Sequence, residues 1–259
     1  MRLHDLRWMR CVVCAVAAVS FAPFLAAYAA ESLNAYGPGG PAPAMREAVL
    51  AFEKRTGTKI EVTAGPTGEW KDKAKANADI IFSGSETMMA DFIQAMEGAI
   101  DESSVTPLYL RPFSILVRPG NPRAVKGVAD LFNPGLKVLV VNGAGQNGVW
   151  EDMAGRTGEI AKIRALRKNI VFHARSSAEA RQKWIDDPSI DVWLIWSIWQ
   201  VANPKLAQVV PIEARYAIYR DVGIALTQRG AARPAAKAFI DFLGSPEGAA
   251  IFRRWGWKA

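Results

Sequence analysis

Apolar positions along the chain alternate between two periods, and the alternation outlines the fold before any composition is counted. Leu33-Asn34-Ala35-Tyr36 reads as a short strand that ends at Gly37-Pro38-Gly39-Gly40. Met45, Ala48, Val49 and Phe52 then fall at i, i+3, i+4 and i+7, the spacing of one helix face. Gly57 stops that helix just past Lys54 and Arg55. Lys59 to Ala64 is β-branched and alternating, so it predicts a strand. A polar helix over Glu69–Ala76, a buried strand over Ala78–Phe82 and a helix from Ser83-Gly84-Ser85-Glu86 to about Met96 follow.

The second half repeats the rhythm. Leu108–Leu110 and Phe113–Val117 are extended on either side of Pro112, and Pro119-Gly120-Asn121-Pro122 is a turn. Val128–Phe132 predicts a short helix. Lys137–Val141 is a strand that runs through Asn142-Gly143-Ala144-Gly145-Gln146-Asn147-Gly148 into a helix at Val149–Ala154. Glu159–Asn169 is helical, with Ile160, Ile163 and Leu166 on one side. Ile170–Ala174 is a strand. Ser176-x-x-Glu179 is a capping box before another helix. Asp191–Trp196 is an apolar strand, Tyr216–Thr227 is extended, and helices at Arg233–Leu243 and Pro246–Trp255 close the chain. Strands alternating with helices predict an α/β fold with covered, mainly parallel sheets. Ligand sites in such sheets lie at the carboxyl ends of strands. Four loops qualify: Gly37–Gly40, Ser83–Glu86, Gly143–Gly148 and Trp196–Trp199.

The N-terminus changes the inventory. Arg2, Arg7 and Arg10 precede an apolar run from Cys11 to about Tyr28, broken by Pro23, and Ala27-Tyr28-Ala29 offers an A-x-A site. This is the layout of a cleaved secretory signal over residues 1–30. Cleavage would remove both cysteines and His4, leaving His173 as the only histidine. The mature chain would then have no thiolate nucleophile, disulfide or Cys-ligated metal. The net charge of +7 would fall to about +5, with the loss of three Arg and one Asp. Its basic residues are dispersed, as in Arg164-Ala165-Leu166-Arg167-Lys168 on one helix, so no nucleic-acid stripe is indicated. No other stretch is long and apolar enough to span a membrane.

Several residues carry two readings. Gly39 and Gly40 form either a plain strand-to-helix turn or an open approach to a helix start. Ser83 and Ser85 cap the next helix or donate to an oxyanion held there. Trp196 and Ser197 end a strand, either as core or as cleft wall. Arg111 and Tyr219-Arg220 lie in the two extended segments expected to connect two lobes, either as surface ion pairs or reaching a ligand. The Gly143–Gly148 loop spells G-x-G-x-x-G, the dinucleotide fingerprint. That motif requires an acidic residue after the second strand to hold the ribose. Here the strand ends at His173-Ala174-Arg175, and the motif lies in mid-chain. An NADP-linked oxidoreductase is thus the competing reading, against a loop that cradles a small anion. No Cys/His pair, G-x-S-x-G or phosphate-binding P-loop is present, so catalytic chemistry and cofactors are not called for.

Tyr36-Gly37-Pro38-Gly39-Gly40, Ala78-Asp79-Ile80-Ile81-Phe82, Pro107-Leu108-Tyr109-Leu110-Arg111, Gly148-Val149-Trp150-Glu151-Asp152-Met153 and Arg254-Trp255-Gly256-Trp257 resemble the accessory colonization factor C family. That family belongs to the type II periplasmic solute-binding proteins, near the sulfate and molybdate binders. The resemblance implies two α/β lobes joined by two crossing strands, with residues 31–112 plus 221–259 as lobe 1 and 113–220 as lobe 2. It implies a periplasmic, monomeric, non-enzymatic binder that delivers a small anion to the permease of an ABC transporter or to a chemoreceptor. An adhesion or sensory module without transport would use the same fold. By position, neutral donors would come from the Gly39 and Gly40 amides, Ser83 or Ser85, Gln146, Asn147 and Gly148, and Tyr219. Where the molybdate relatives have a serine in the first loop, this chain has Pro38-Gly39-Gly40, and Arg111 would favour a carboxylate.

Overall fold

The computed structural model describes residues 32–143 and 145–259. The expected signal segment lies outside them. The first strands and helices are β1 (Ser32–Gly37), α1 (Ala42–Thr56), β2 (Lys59–Ala64), α2 (Thr67–Asn77), β3 (Ile80–Phe82) and α3 (Glu86–Ala95). Next come β4 (Thr106–Val117), β5 (Val138–Val141), α4 (Val149–Gly155), α5 (Ile160–Asn169) and β6 (Ile170–Ala174). The chain continues through α6 (Ser177–Asp186), β7 (Val192–Trp196), α7 (Ile198–Ala202), β8 (Gln208–Val210) and β9 (Tyr219–Leu226). Helices α8 (Gln228–Ala231), α9 (Pro234–Leu243) and α10 (Pro246–Arg254) complete it.

Local chemistry explains most boundaries. Gly57 ends α1 with φ of 74°, a left-handed conformation open to glycine, beside Lys54 and Arg55 in the last turn. The α1 face at Met45, Ala48, Val49 and Phe52 is buried as its spacing requires, and Phe52 meets the Phe239 ring edge-on at 5.2 Å. Ser176 caps α6 by accepting the Glu179 N–H at 3.1 Å. Glu179 reaches back to the Arg175 N–H at 2.6 Å, one residue earlier than a standard capping box. On α5, Leu166 is buried, whereas Ile160, at the helix start, is 60% exposed. The segment at Val128–Phe132 is a 3-10 turn.

The sheet runs β2-β1-β3-β9-β4-β7-β5-β6, and β8 also pairs with β4. Its outer parts are parallel: β1 with β2 and β3, and β5 with β6 and β7. Its middle is antiparallel, because β4 and β9 pass between the two parts. This is a mixed, two-lobed type II periplasmic binding architecture. The long strand β4 changes partners along its length. Thr106–Pro112 pair with β9, and Phe113–Val117 pair with β7. Pro112 sits at the change-over, where a residue without an N–H costs no ladder bond. Its carbonyl accepts the Ser197 N–H at 3.1 Å, and the Phe113 N–H goes to Ile218 at 2.9 Å.

At the end of the first part remote from the strand carboxyl ends, Asp79 is fully buried. It accepts the Asn34 N–H at 2.8 Å, Arg229 Nε at 3.0 Å and Arg233 Nη1 at 3.1 Å, tying α8 and α9 to β1. Its truncation strands a buried N–H and removes the carboxylate that Arg229 and Arg233 share. Asp79→Ala is therefore expected to lower the unfolding free energy by about 3 kcal/mol in a urea titration. A loss within about 0.5 kcal/mol would show that the helices dock without it.

Candidate ligand-binding cleft

The carboxyl ends of the parallel strands from both sheet parts open on one cleft of about 70 Å³. Pro38, Gly39 and Gly40 follow β1 and lead into α1. Gly65, Pro66 and Thr67 follow β2 and start α2. Ser176, Ser177 and Ala178 follow β6 and start α6. Three helices thus present their N-terminal residues to the same space, and each carries the positive end of its dipole there. Met88 of α3, Arg111 of β4, Gln146 and Trp199 of α7 complete the wall.

Arg111 dominates the electrostatics. It is 3% exposed, and its Nη2 donates to the Gly84 carbonyl. Its Nε is buried with no partner. Among the described residues no carboxylate lies within ion-pair distance of it. Instead its guanidinium lies over Trp196 at 4.5 Å and Trp257 at 5.5 Å from the ring centroids, so aromatic faces stand where an acid would usually be. Burial pulls its pKa down to about 9, against the opposing pull of the more distant Asp221 carboxylate and with a further push from Arg220. The group is still charged at neutral pH. Asp221 is committed elsewhere: its Oδ1 accepts the Glu86 N–H at 3.0 Å, at the start of α3. Burial, and then Asp221, push the Glu86 carboxyl above its usual range.

Two further wall residues have unspent polar atoms. Gln146 is 3% exposed and donates Nε2 to Ser177 Oγ at 2.8 Å, while its Oε1 is buried without a partner. Exchanging the two ends of that amide lets Ser177 donate instead and turns the unpartnered atom into a donor. The Trp199 Nε1 is likewise buried without a partner. The cleft therefore combines a buried cation, helix N-termini and unsatisfied amide and indole groups, the provision an anion needs in a dry site. Among the described residues no group of three or more His, Cys, Asp or Glu is placed to hold a metal ion.

Of the residues singled out in the sequence, Gly39, Gly40, Arg111 and Gln146 meet at this cleft. Ser83 and Ser85 sit behind it, both fully buried. Ser83 Oγ accepts the Gly223 N–H at 3.3 Å, and Ser85 Oγ caps α3 by accepting the Met88 N–H at 3.1 Å. Asn147 and Gly148 lie outside the lining, and Gly148 (φ 73°) starts α4. Trp196 is fully buried beneath Arg111, and Ser197 is half-buried at the start of α7, outside the lining. Tyr219 is 37% exposed and its hydroxyl meets Lys258 Nζ at 3.2 Å, away from the lining. The Gly143–Gly148 loop contributes Gln146 to the wall, while Gly145 is a contact between the sheet parts. A Cβ there would stand 2.6 Å from Ser85 Oγ and 3.1 Å from Met88 Cβ. Trp199 closes the Trp196–Trp199 loop that the sequence named, and the residues missed there, Gly65–Thr67 and Ser176–Ala178, follow from the same strand-end rule. It applies to β2 and β6 as well as to β1, β3, β5 and β7.

Residues 33–258 match the family model of bacterial extracellular solute-binding proteins. L-phospholactate-bound PEB3 shares 35% identity at a TM-score of 0.84, with 88% of this chain and 99% of that one covered. PEB3 from Campylobacter jejuni gives 34% identity and a TM-score of 0.82 over the same shares. The sulfate-binding protein SubI of Mycobacterium tuberculosis, at 18% identity and a TM-score of 0.70 over 88% of this chain and 86% of its own, is similar in fold. No curated protein matches the chain.

A buried guanidinium with no carboxylate partner burdens the folded state. Arg111→Met keeps the volume and removes the charge. Its melting temperature without ligand is expected to equal or exceed that of the parent. A clear fall in thermal denaturation would mean that Arg111 is there for the fold.

Proposed function

The chain belongs to the bacterial extracellular solute-binding protein family, and we propose that it captures a small anion bearing a carboxylate or phosphoryl group. The ligand sits between a first lobe of residues 31–112 plus 221–259 and a second of residues 113–220. Strands β4 and β9 act as the hinge, and contacts made in the closed state bias the lobes together. The protein works in the periplasm after removal of residues 1–30. It hands its ligand to the permease of an ABC-type transporter or to a chemoreceptor, and it performs no chemistry on it.

The observation that carries this reading is Arg111, a buried cation on the cleft wall without an acidic partner. A bound anion supplies the missing charge. Size narrows the ligand. A cleft of about 70 Å³ holds about five water-sized volumes, at roughly 10–15 Å³ each. Drug-sized ligands need pockets of about 300 Å³ or more. A dinucleotide is far larger than this space, which argues against the oxidoreductase reading of the Gly143–Gly148 loop. Sulfate, molybdate and small phosphorylated or plain carboxylates fit. The ligand in the similar PEB3 structure, L-phospholactate, carries both kinds of anionic group and is the first compound to try.

Isothermal titration of the purified protein with L-phospholactate, small dicarboxylates, sulfate, molybdate and NADP is expected to show binding to a small anion and none to the dinucleotide. Arg111→Met is expected to weaken that binding by roughly 10–100-fold, the loss of a charge-assisted hydrogen bond. Binding of NADP alone, or of a neutral solute with no effect of Arg111→Met, would overturn the reading.

A further inference from the structure

Gly40 has no Cβ, and groups from both parts of the sheet close in beside it. A Cβ built there would stand 3.0 Å from Arg111 Nη1, 3.3 Å from Ile198 Cδ1 and 3.9 Å from Trp199 Nε1. Two donors therefore converge on one spot. One is a cation on the crossing strand β4. The other is the indole N–H of α7, which follows β7 in the second part of the sheet. Over the neighbouring Gly39 the same indole ring comes within 3.9 Å of a built Cβ.

The indole N–H is a donor only, and here it has no acceptor. Trp193, Trp196 and Trp257 also have unpartnered buried indole nitrogens. Those three rings are at most 3% exposed and stay in the core; among the four, Trp199 alone lines the cleft. Its ring is held in place: it packs 6.3 Å from Trp193, and the Trp199 carbonyl accepts the Asn203 side-chain N–H at 2.9 Å.

We propose that Trp199 is a ligand-contacting residue whose indole N–H donates to the anionic group that Arg111 holds, so that it forms the second lobe's closing contact. The inference rests on the anion reading above and goes further by assigning the second lobe's donor. It also narrows the ligand group. An acceptor must serve Arg111 and Trp199 from two sides of one spot, which a carboxylate or phosphoryl group does with its several oxygens while also answering the Arg111 charge, as a neutral hydroxyl does not. Because Gly39 and Gly40 come from the first lobe and Trp199 from the second, the bond forms only when the lobes are together. It therefore adds to affinity by stabilising the closed form.

Trp199→Phe keeps the ring and removes the donor, and Trp193→Phe removes an equally orphaned indole that does not reach the cleft. Both full-length variants would be titrated with L-phospholactate and with sulfate, and their melting temperatures measured without ligand. For the probe that the parent binds, Trp199→Phe is expected to bind about tenfold more weakly at an unchanged melting temperature, and Trp193→Phe to bind as the parent does. Equal affinity in Trp199→Phe, or the same loss in both variants, would overturn the assignment while the anion reading stands. If the parent binds neither these probes nor other small anions, the anion reading fails and the assignment falls with it.

Discussion

A guanidinium buried at the seam of two sheet parts, with no carboxylate within ion-pair distance among the described residues, sets the terms for the rest of the structure. Arg111 sits one residue before β4 changes partners at Pro112, so its position is fixed by the two strands that join the parts. Desolvating such a charge costs several kcal/mol unless something nearby compensates. The compensation here is partial: one carbonyl from Gly84 and the faces of Trp196 and Trp257. The aromatic faces shield the charge without cancelling it, as an aspartate would. The positive potential is left facing the cleft, where three helix N-termini reinforce it. Asp221, which pulls on Arg111 from beyond ion-pair distance, spends one oxygen on the start of α3 and keeps the other buried without a partner among the described residues.

Glycines make this arrangement fit. At Gly84 a Cβ would stand 2.5 Å from Arg111 Nη2, and at Gly40 one would stand 3.0 Å from Nη1. Both loops must stay bare for the guanidinium to lie between them. Gly145 plays a related part across the seam, where only a residue without a Cβ lets the second part approach Ser85 and Met88. A family built for a small ligand needs this closeness, since each added carbon between the parts would widen a space of about 70 Å³.

The fold was legible in the sequence because its signals are local. The i, i+3, i+4, i+7 face of α1, the alternation of β2 and the Ser176 cap depend on residues within one or two turns of each other. The short elements β8, α7 and α8 left no such periodic trace, since three to five residues cannot display one. The site was half legible. Gly39, Gly40 and Gln146, picked out at strand ends, and Arg111, picked out on a connecting segment, do line the cleft. Ser83 and Ser85 have the right chemistry, but the backbone uses it first, and that competition is decided by burial behind α3. Trp199 was hidden among neighbouring tryptophans, because composition cannot say which indole of a cluster faces a void.

The return of the chain through β9 has a temporal side. The strands of the second part, from the far half of β4 to β8, lie in one continuous run of sequence and can pair as soon as that run is available. The first part cannot close until β9 slots between β3 and β4, more than a hundred residues after β4 begins. The backbone bridge from Leu110 to Lys258 and the Trp257 ring near Arg111 come later still. The cleft therefore depends on segments that lie farthest apart along the chain. A chain that has assembled only its second part has a compact sheet but only half of its cleft.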